Sequence, residues 1–327
     1  MPVTLGRERF EVKKLEIVGK SLKGNTLKDP AKREIIVLER NVKESTPALI
    51  GLAGFFGSSN SFLNRSYTGH DFFRALETIS EKKSSSFLIL LPDTMTSYYG
   101  NQFVNSSAVG NYEDFIVNDV VGLIKRKYGN RKIGLFGKSS GGFGSYNLAT
   151  KHPDVFGGFV DVSGDSGFEY CYVRDFAAVI TKLGKMNPQE FLKYFNKKPH
   201  PDNLDFGVMN VLAMAAFYSP NNKSKIGFDL PFDLKYHTFR QDVWNRWLLL
   251  DPLRNLENRL DSLRQQKVIL QVGNRDEFSI NIGMKGMSEL MNKHKVKHDY
   301  KEFDEGHFGL EYLYEESIPS LINALSG

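Results

Sequence analysis

Three residues with the side chains of a nucleophile, an acid and a general base follow one another along the chain as Ser139, Asp276 and His307. A serine hydroxyl is a weak nucleophile until an imidazole accepts its proton, and a carboxylate holds that imidazole in the required tautomer. Each of the three comes shortly after a predicted strand. The carboxyl ends of parallel strands meet at one edge of a sheet, where ligands bind. The set therefore predicts nucleophilic catalysis at such an edge.

The serine stands in Gly137-Lys138-Ser139-Ser140-Gly141, which fits the pattern G-x-S-x-G. The apolar run 133–136 before it predicts a strand, and 143–151 after it predicts a helix. A strand, a sharp turn and a helix together form the nucleophile elbow, which exposes the serine hydroxyl above the sheet edge. Glycines two residues before and after the serine leave room for this turn.

Other interpretations of the same stretch fit less well. Ser140 is the alternative nucleophile, but it has Lys138 two residues before it, where the tight turn favours glycine. We therefore predict that Ser140 instead supplies a backbone N–H to an oxyanion hole. A phosphate-binding loop would need a glycine five residues before Gly137, where Lys132 stands. A plain Gly-Ser turn that only joins a strand to a helix is the remaining alternative, and the acid and base farther along argue against it.

The acid and the base each follow a further predicted strand. Asp276 comes after the apolar run 267–272, with Glu277 as the alternative acid. His307 comes after the predicted strand 298–303. The order serine, acid, histidine is the one that α/β-hydrolases use. We therefore assign Ser139 as nucleophile, His307 as general base and Asp276 as the acid that orients it.

No metal or cofactor is predicted. His294 and His298 are four residues apart, but they straddle a helix end and a strand start among lysines. The single cysteine, Cys171, excludes an internal disulfide and a multi-cysteine zinc site. The proposed acyl-transfer chemistry needs no cofactor.

A glycine-rich loop, 54–60, follows the early apolar strand 48–52. This is where an α/β-hydrolase places its second oxyanion donor. We assign that donor to the backbone N–H of Phe55, with Phe56 as the alternative. An ordinary strand-to-helix loop is the competing interpretation.

Strand and helix patterns alternate through most of the chain, which predicts a doubly wound, mostly parallel sheet, as in the α/β-hydrolase fold. Residues 9–17 and 34–38 predict an antiparallel hairpin at the sheet edge, and residues 67–83 predict a helix. The alternation stops at Gly164, and the strand pattern returns at residues 267–272. We therefore predict a core of residues 1–165 and 246–327 with an inserted helical cap of residues 166–245.

The substrate pocket is predicted from aromatic and polar residues near these elements. Cap aromatics recur between residues 168 and 236, and some of them are expected to line the pocket. The long polar loop 96–110 leaves a core strand, a position that is often functional. The predicted substrate contacts are Phe56, Tyr98, Tyr99, Gln102 and Asn105.

Composition narrows the class of partner. The formal net charge is +5, and the densest basic stretch, 124–132, carries no nucleic-acid recognition motif. Residues 1–12 lack the apolar core of a signal peptide, and no apolar run approaches the ~20 residues of a membrane span. We expect a cytoplasmic enzyme with a small-molecule ester substrate and no nucleic-acid or membrane partner. Whether it forms a homo-oligomer is left open.

Taken together, these motifs resemble the putative-esterase group of α/β-hydrolases. That group includes esterase D (S-formylglutathione hydrolase), enterochelin-esterase-like proteins, feruloyl esterases and the antigen 85 mycolyltransferases. The resemblance rests on Gly-Lys-Ser-Ser-Gly-Gly, the Gly-Phe loop, Asp251-Pro252 after two tryptophans, Gly-Asn-Arg-Asp-Glu-Phe and Glu-Gly-His-Phe. It implies a serine hydrolase of carboxylic esters that forms an acyl-enzyme. The predicted oxyanion loop has Ala53-Gly54 where members of the group commonly have His-Gly. The predicted cap is also larger than in the compact members of the group. The resemblance therefore implies no particular substrate.

Two other functions use the same fold. An acyltransferase would use the same triad and pass the acyl group to an alcohol instead of water, and a peptidase is a less favoured variant. A non-catalytic binding protein would need no triad, so the presence of all three residues argues against it.

Overall fold

The computed structural model describes residues 9–66 and 69–327. In this part of the chain, eight strands form one sheet in the order β1-β2-β4-β3-β7-β8-β9-β10, and β5 and β6 form a small hairpin. The strands are β1 (Glu11–Val18), β2 (Lys32–Arg40), β3 (Ala48–Leu52), β4 (Phe87–Pro92), β5 (Asn105–Ser106), β6 (Gly110–Asn111), β7 (Ile133–Lys138), β8 (Phe156–Val162), β9 (Lys267–Gly273) and β10 (Asp299–Phe303).

The sheet is parallel from β4 to β10, and β2 is antiparallel to both of its neighbours. The predicted antiparallel hairpin, β1 with β2, lies at the sheet edge. The central strands β3 and β4 are buried along their whole length, because helices cover both faces of the sheet. The prediction of a mostly parallel, doubly wound sheet is thus confirmed.

Helices flank the sheet and fill the connections. They are α1 (Phe72–Glu81), α2 (Tyr112–Asp114), α3 (Val121–Tyr128), α4 (Ser140–Lys151), α5 (Phe168–Cys171), α6 (Val173–Leu183), α7 (Pro188–Lys197), α8 (Asn203–Tyr218), α9 (Gln241–Leu248), α10 (Pro252–Asn255), α11 (Leu260–Arg264), α12 (Ile280–Lys293) and α13 (Tyr314–Ser326). A π-helical segment, Phe115–Val120, joins α2 to α3. Within the described ranges, no helix is both long enough and apolar enough to cross a membrane.

Two predicted segments reach residues outside the described ranges. The helix predicted over 67–83 is observed as α1, which begins after Asp71 because its carboxylate accepts the Arg74 N–H at 2.7 Å. Residues 67 and 68 lie outside the described residues. The same holds for residues 1–8, on which most of the signal-peptide prediction depends.

The region predicted as a cap is helical from α5 to α8. Its described residues, 166–245, form isolated β-bridges but no β-strand. Capping boxes at Asn187 and Asp202 begin α7 and α8. The buried side chains of this region belong to the same hydrophobic cluster as one face of the sheet. We propose that residues 166–245 are an insertion that packs onto the core as part of one domain.

A buried carboxylate joins the start of this insertion to the core segment that follows it. Asp251, which is fully buried, accepts hydrogen bonds from the backbone N–H groups of Gly167 (2.8 Å), Phe168 (2.9 Å) and Leu253 (3.0 Å). Burial raises the pKa of Asp251 to about 6, and these N–H donors act in the opposite direction. The start of α5 and the start of α10 are thus held on one side chain.

A second buried carboxylate lies under the helix that follows the serine. Asp161 in β8 is 1% exposed, and a Cβ atom on Gly142 would come within 2.3 Å of its Oδ1. Burial raises the pKa of Asp161 to about 8, against the effect of the Gly164 N–H. The folded protein therefore holds a proton on Asp161 at neutral pH, whereas the unfolded chain does not.

This difference predicts a pH-dependent stability. The stabilising contribution of protonated Asp161 is fully present below about pH 4 and is lost as the pH rises to about 8. Asp161→Asn stays neutral, so we expect its free energy of unfolding in urea to fall less over this range, by up to about 1.4 kcal/mol per pH unit. Asp304→Asn is the control, because the Asp304 side chain is 83% exposed. If the free energy of unfolding changed with pH in the same way for wild type and Asp161→Asn, the assignment of a protonated Asp161 in the folded protein would be contradicted.

Candidate active site

Ser139 lies in a sharp turn between β7 and α4. Its backbone has φ 58° and ψ −127°, which is a strained conformation for a residue other than glycine. A Cβ atom on Gly137 would lie 2.4 Å from the carbonyl oxygen of Gly141, and a Cβ atom on Gly141 would lie 2.0 Å from the carbonyl oxygen of Leu52. The two glycines of the G-x-S-x-G pattern therefore stand where no side chain fits, as expected for an elbow.

Asp276 and His307 meet after β9 and β10. His307 Nδ1 lies 2.7 Å from Asp276 Oδ2, and both side chains are almost fully buried. The other carboxylate oxygen, Oδ1, accepts the Phe278 N–H at 2.9 Å. The alternative acid, Glu277, accepts the backbone N–H of His307 at 2.5 Å and does not contact the ring. Asp276 is therefore the carboxylate placed to hold the imidazole in one tautomer.

Ser139 and His307 line the same cavity. Among the described residues, no hydrogen bond joins the Ser139 hydroxyl to the imidazole. Such contacts are often loose in unliganded enzymes and shorten when substrate binds. The edges of the Phe278 and Phe308 rings pack around His307, with ring centroids 4.8 Å and 5.2 Å from the imidazole. The His307 side chain is buried, with only 3% of the residue exposed.

The backbone N–H groups of Phe55 and Ser140 both lack an acceptor among the described residues. Ser140 is the first residue of α4, where a helix has no internal partner for the N–H. Phe56 has an engaged N–H, which donates to the carbonyl of Tyr99 at 2.9 Å. A Cβ atom on Gly54 would lie 3.5 Å from Ser139 Cβ, so this loop lies directly beside the serine. Of the candidate donors, Phe55 and Ser140 are thus free, and the alternative donor Phe56 is occupied.

A cavity of about 660 Å³ opens beside Ser139. Its described lining comes from three segments of the core: residues of 52–66 and 69–72, residues 138–139, and residues of 307–314. The expectation that cap aromatics line the pocket is wrong for this cavity, because its described lining contains no residue of 166–245. The cap aromatics are mostly buried in the hydrophobic cluster, and the ring of Phe206 lies 5.1 Å from that of Phe56 at the cavity rim.

Of the predicted substrate contacts, Phe56 lines the cavity and is 41% exposed. The other four do not line it. Gln102 is fully buried with both ends of its amide hydrogen-bonded inside the protein, and Asn105 accepts the N–H of Asp114. For Tyr98, Tyr99, Gln102 and Asn105 the expected substrate contact is therefore not met at this cavity.

The loop that contains Tyr98 and Tyr99 instead supports the oxyanion loop. Tyr98 is buried with its ring 6.2 Å from that of Phe228, and the Tyr99 hydroxyl donates to Asn196 at 2.5 Å. A Cβ atom on Gly100 would lie 2.2 Å from the ring of Phe55, so this loop and Phe55 are in direct contact. The loop therefore packs against Phe55, and its two tyrosines do not line the cavity beside Ser139.

The cavity also contains residues that the sequence patterns did not indicate. Lys138 Nζ donates to Glu311 at 2.9 Å and lies 5.5 Å from the centre of the Phe308 ring. Arg65 and His70 line the opposite wall. Only the position of Lys138, next to the nucleophile, could have marked it in the sequence. Within the described ranges, no group of three or more His, Cys, Asp or Glu side chains is arranged to hold a metal ion.

Residues 41–313 match the sequence profile of the family described as Putative esterase. The match spans most of the chain and includes both oxyanion segments, Ser139, Asp276 and His307. The chain belongs to the Putative esterase family. The prediction of a carboxylic ester hydrolase on an α/β-hydrolase fold is thereby confirmed. No curated protein matches the esterase by sequence.

Solved structures share the fold of the esterase over nearly its whole length. An S-formylglutathione hydrolase from Agrobacterium tumefaciens is 12% identical with a TM-score of 0.60, covering 97% of this chain and 96% of the other. A ferulic acid esterase is 16% identical with a TM-score of 0.57, covering 97% and 98%. FphF, a fluorophosphonate-binding serine hydrolase from Staphylococcus aureus, is 14% identical with a TM-score of 0.54, covering 97% and 99%. At these identities the likeness establishes the fold.

The close approach at the elbow predicts opposite effects for two helical glycines. Gly141→Ala places a Cβ atom against the Leu52 carbonyl, so we expect a loss of at least about 3 kcal/mol in the free energy of unfolding. Gly207 in α8 has no neighbour within 4 Å of its Cβ position, so Gly207→Ala should gain about 0.5–1 kcal/mol. Urea unfolding of both variants measures this. Equal stability of the two variants would contradict the elbow packing.

Proposed function

We propose that this esterase hydrolyses small-molecule carboxylic esters through an acyl-enzyme on Ser139. The contact between His307 Nδ1 and Asp276 Oδ2 carries the proposal, because it leaves Nε2 as the nitrogen that accepts a proton. Ser139 in its strained turn lines the same cavity as this imidazole. The oxyanion of the tetrahedral intermediate would be held by the N–H groups of Phe55 and Ser140.

The reaction divides into two similar steps. Ser139 Oγ attacks the ester carbonyl while His307 takes its proton, and the carbonyl oxygen becomes an oxyanion held by the two N–H donors. The imidazolium, stabilised by Asp276, then protonates the leaving alcohol, and the acyl group stays on Ser139. Water enters, gives a proton to His307 and attacks the acyl carbon, which releases the acid and restores the serine. Each oxyanion donor contributes about 3 kcal/mol to the transition state.

The nucleophile is tested by comparing wild type with Ser139→Ala on p-nitrophenyl esters of increasing acyl length. We expect kcat to fall by at least about 10³-fold in the variant, because the hydroxyl that forms the acyl-enzyme is lost. A fluorophosphonate probe should label wild type at Ser139 and leave the variant unlabelled, as read by peptide mass spectrometry.

Ser145→Ala is the matched control, because Ser145 lies in the same helix with its hydroxyl on the Gly141 carbonyl, and it should keep labelling and turnover. Full activity of Ser139→Ala would contradict the assignment. A primary alcohol added during turnover distinguishes hydrolysis from acyl transfer, since a transferase would form the new ester as its main product.

A further inference from the structure

The hydroxyl of Ser140 lies in a buried network of polar side chains behind the nucleophile. It accepts a hydrogen bond from Gln102 Nε2 at 2.6 Å and donates to Asp165 Oδ2 at 3.3 Å. Ser140, Gln102 and Asp165 are 1%, 0% and 7% exposed. Water therefore does not replace these partners, and the hydroxyl has one defined orientation.

The network continues into the helical insertion. The Tyr172 hydroxyl donates to Asp165 Oδ2 at 2.7 Å, and the Tyr218 hydroxyl donates to Gln102 Oε1 at 2.9 Å. Tyr172 lies between α5 and α6, and Tyr218 is the last residue of α8. Two helices of the insertion are thus joined, through Asp165 and Gln102, to the residue that follows the nucleophile.

The burial of the Asp165 carboxylate lowers the stability of the folded protein. Among the described residues, no Lys or Arg forms an ion pair with it, and a buried carboxylate without a cation costs stability. Burial raises the pKa of Asp165, and the hydrogen bonds from Tyr172, Ser140 and Gln102 act in the opposite direction. A pair of apolar side chains would fill the same space at lower cost, so packing alone does not account for Asp165.

We propose that Asp165 is a positioning residue for the oxyanion hole: its carboxylate holds the Ser140 hydroxyl, and thereby the turn that carries the Ser140 N–H, in place. Asp165 does not touch the substrate. It acts through Ser140, and Tyr172 and Gln102 hold Asp165 and Ser140 in register. This role rests on the proposed function, in which the Ser140 N–H binds the oxyanion.

The test compares two substitutions of Asp165. Asp165→Leu removes every acceptor oxygen, whereas Asp165→Asn keeps one oxygen that can accept from Ser140 and Tyr172. We expect kcat for p-nitrophenyl butyrate to fall about 10- to 100-fold in Asp165→Leu with KM nearly unchanged, because a displaced donor weakens binding of the transition state and not of the substrate. Asp165→Asn should recover most of that loss.

A second readout isolates the oxyanion. A trifluoromethyl ketone adds to Ser139 Oγ, and its carbonyl oxygen becomes an oxyanion in the same hole. Its inhibition constant should rise in Asp165→Leu by about the same factor as kcat falls. Tyr172→Phe, which keeps the shape of the side chain and loses one donor to Asp165, should show a smaller effect of the same kind.

A double-mutant cycle tests whether the effect passes through Ser140. Ser140→Ala removes the hydroxyl and keeps the backbone N–H, so it should show a defect like that of Asp165→Leu. The double variant should be no worse than the poorer single variant. Asp205→Leu is the control, because Asp205 is a fully buried carboxylate of the same insertion bound to Lys182 and Lys198. It should lower the Tm and leave kcat and the inhibition constant unchanged.

Four results would overturn the inference. They are unchanged kcat in Asp165→Leu with a native Tm, a loss confined to KM, full additivity with Ser140→Ala, or an Asp165→Asn variant as impaired as Asp165→Leu. If Asp165→Leu does not fold, Tyr172→Phe and Ser140→Ala decide by the same measurements. Full activity of Ser139→Ala would instead overturn the proposed function itself, so the two failures are distinguishable.

Discussion

The backbone of Ser139 is held in a left-handed conformation by contacts on both sides of the turn, and the rest of the site depends on this constraint. The carbonyl of Leu52 lies where a side chain of Gly141 would be, and Gly137 lies against the same helix start. Strain of this kind, on the order of 1–3 kcal/mol, persists only where surrounding packing over-determines it. Here β3 and α4 supply that packing, because the close approach of Gly141 to the end of β3 restricts the backbone of the turn between β7 and α4.

The same constraint brings the proposed oxyanion donors to the serine. Leu52 is the last residue of β3, and the Phe55 donor comes three residues later, so the strand that confines Gly141 also delivers the oxyanion loop. Asp276 and His307 are brought together by a similarly close packing of the two loops that carry them. A Cβ atom on Gly273 would lie 2.3 Å from the Gly306 carbonyl. The turns after β9 and β10 therefore touch, and Asp276 and His307 meet above that contact.

The helical insertion packs behind this site. Its aromatic side chains fill one hydrophobic cluster with the sheet, and its described residues do not line the cavity beside Ser139. Its polar contribution is the pair Tyr172 and Tyr218, which reach Asp165 and Gln102 beneath the first turn of α4. An insertion that packs in this way can affect turnover through the position of one backbone N–H, while the cavity walls come from the core.

The sequence by itself determined the fold class, the edge hairpin, the esterase family and the identity of the residues that the structure brings to the sheet edge. It did so because buried parallel strands are continuous apolar runs, and because only glycine fits positions such as 137 and 141. Tertiary structure alone decided which residues surround the cavity. Gln102 and Tyr98 stand in a polar loop whose composition favours exposure, yet the insertion covers that loop, and a covering element distant in sequence leaves no local pattern. Lys138, Arg65 and His70 line the cavity because three segments that are far apart in the chain leave a gap where they meet. A gap of this kind also leaves no local pattern in the sequence.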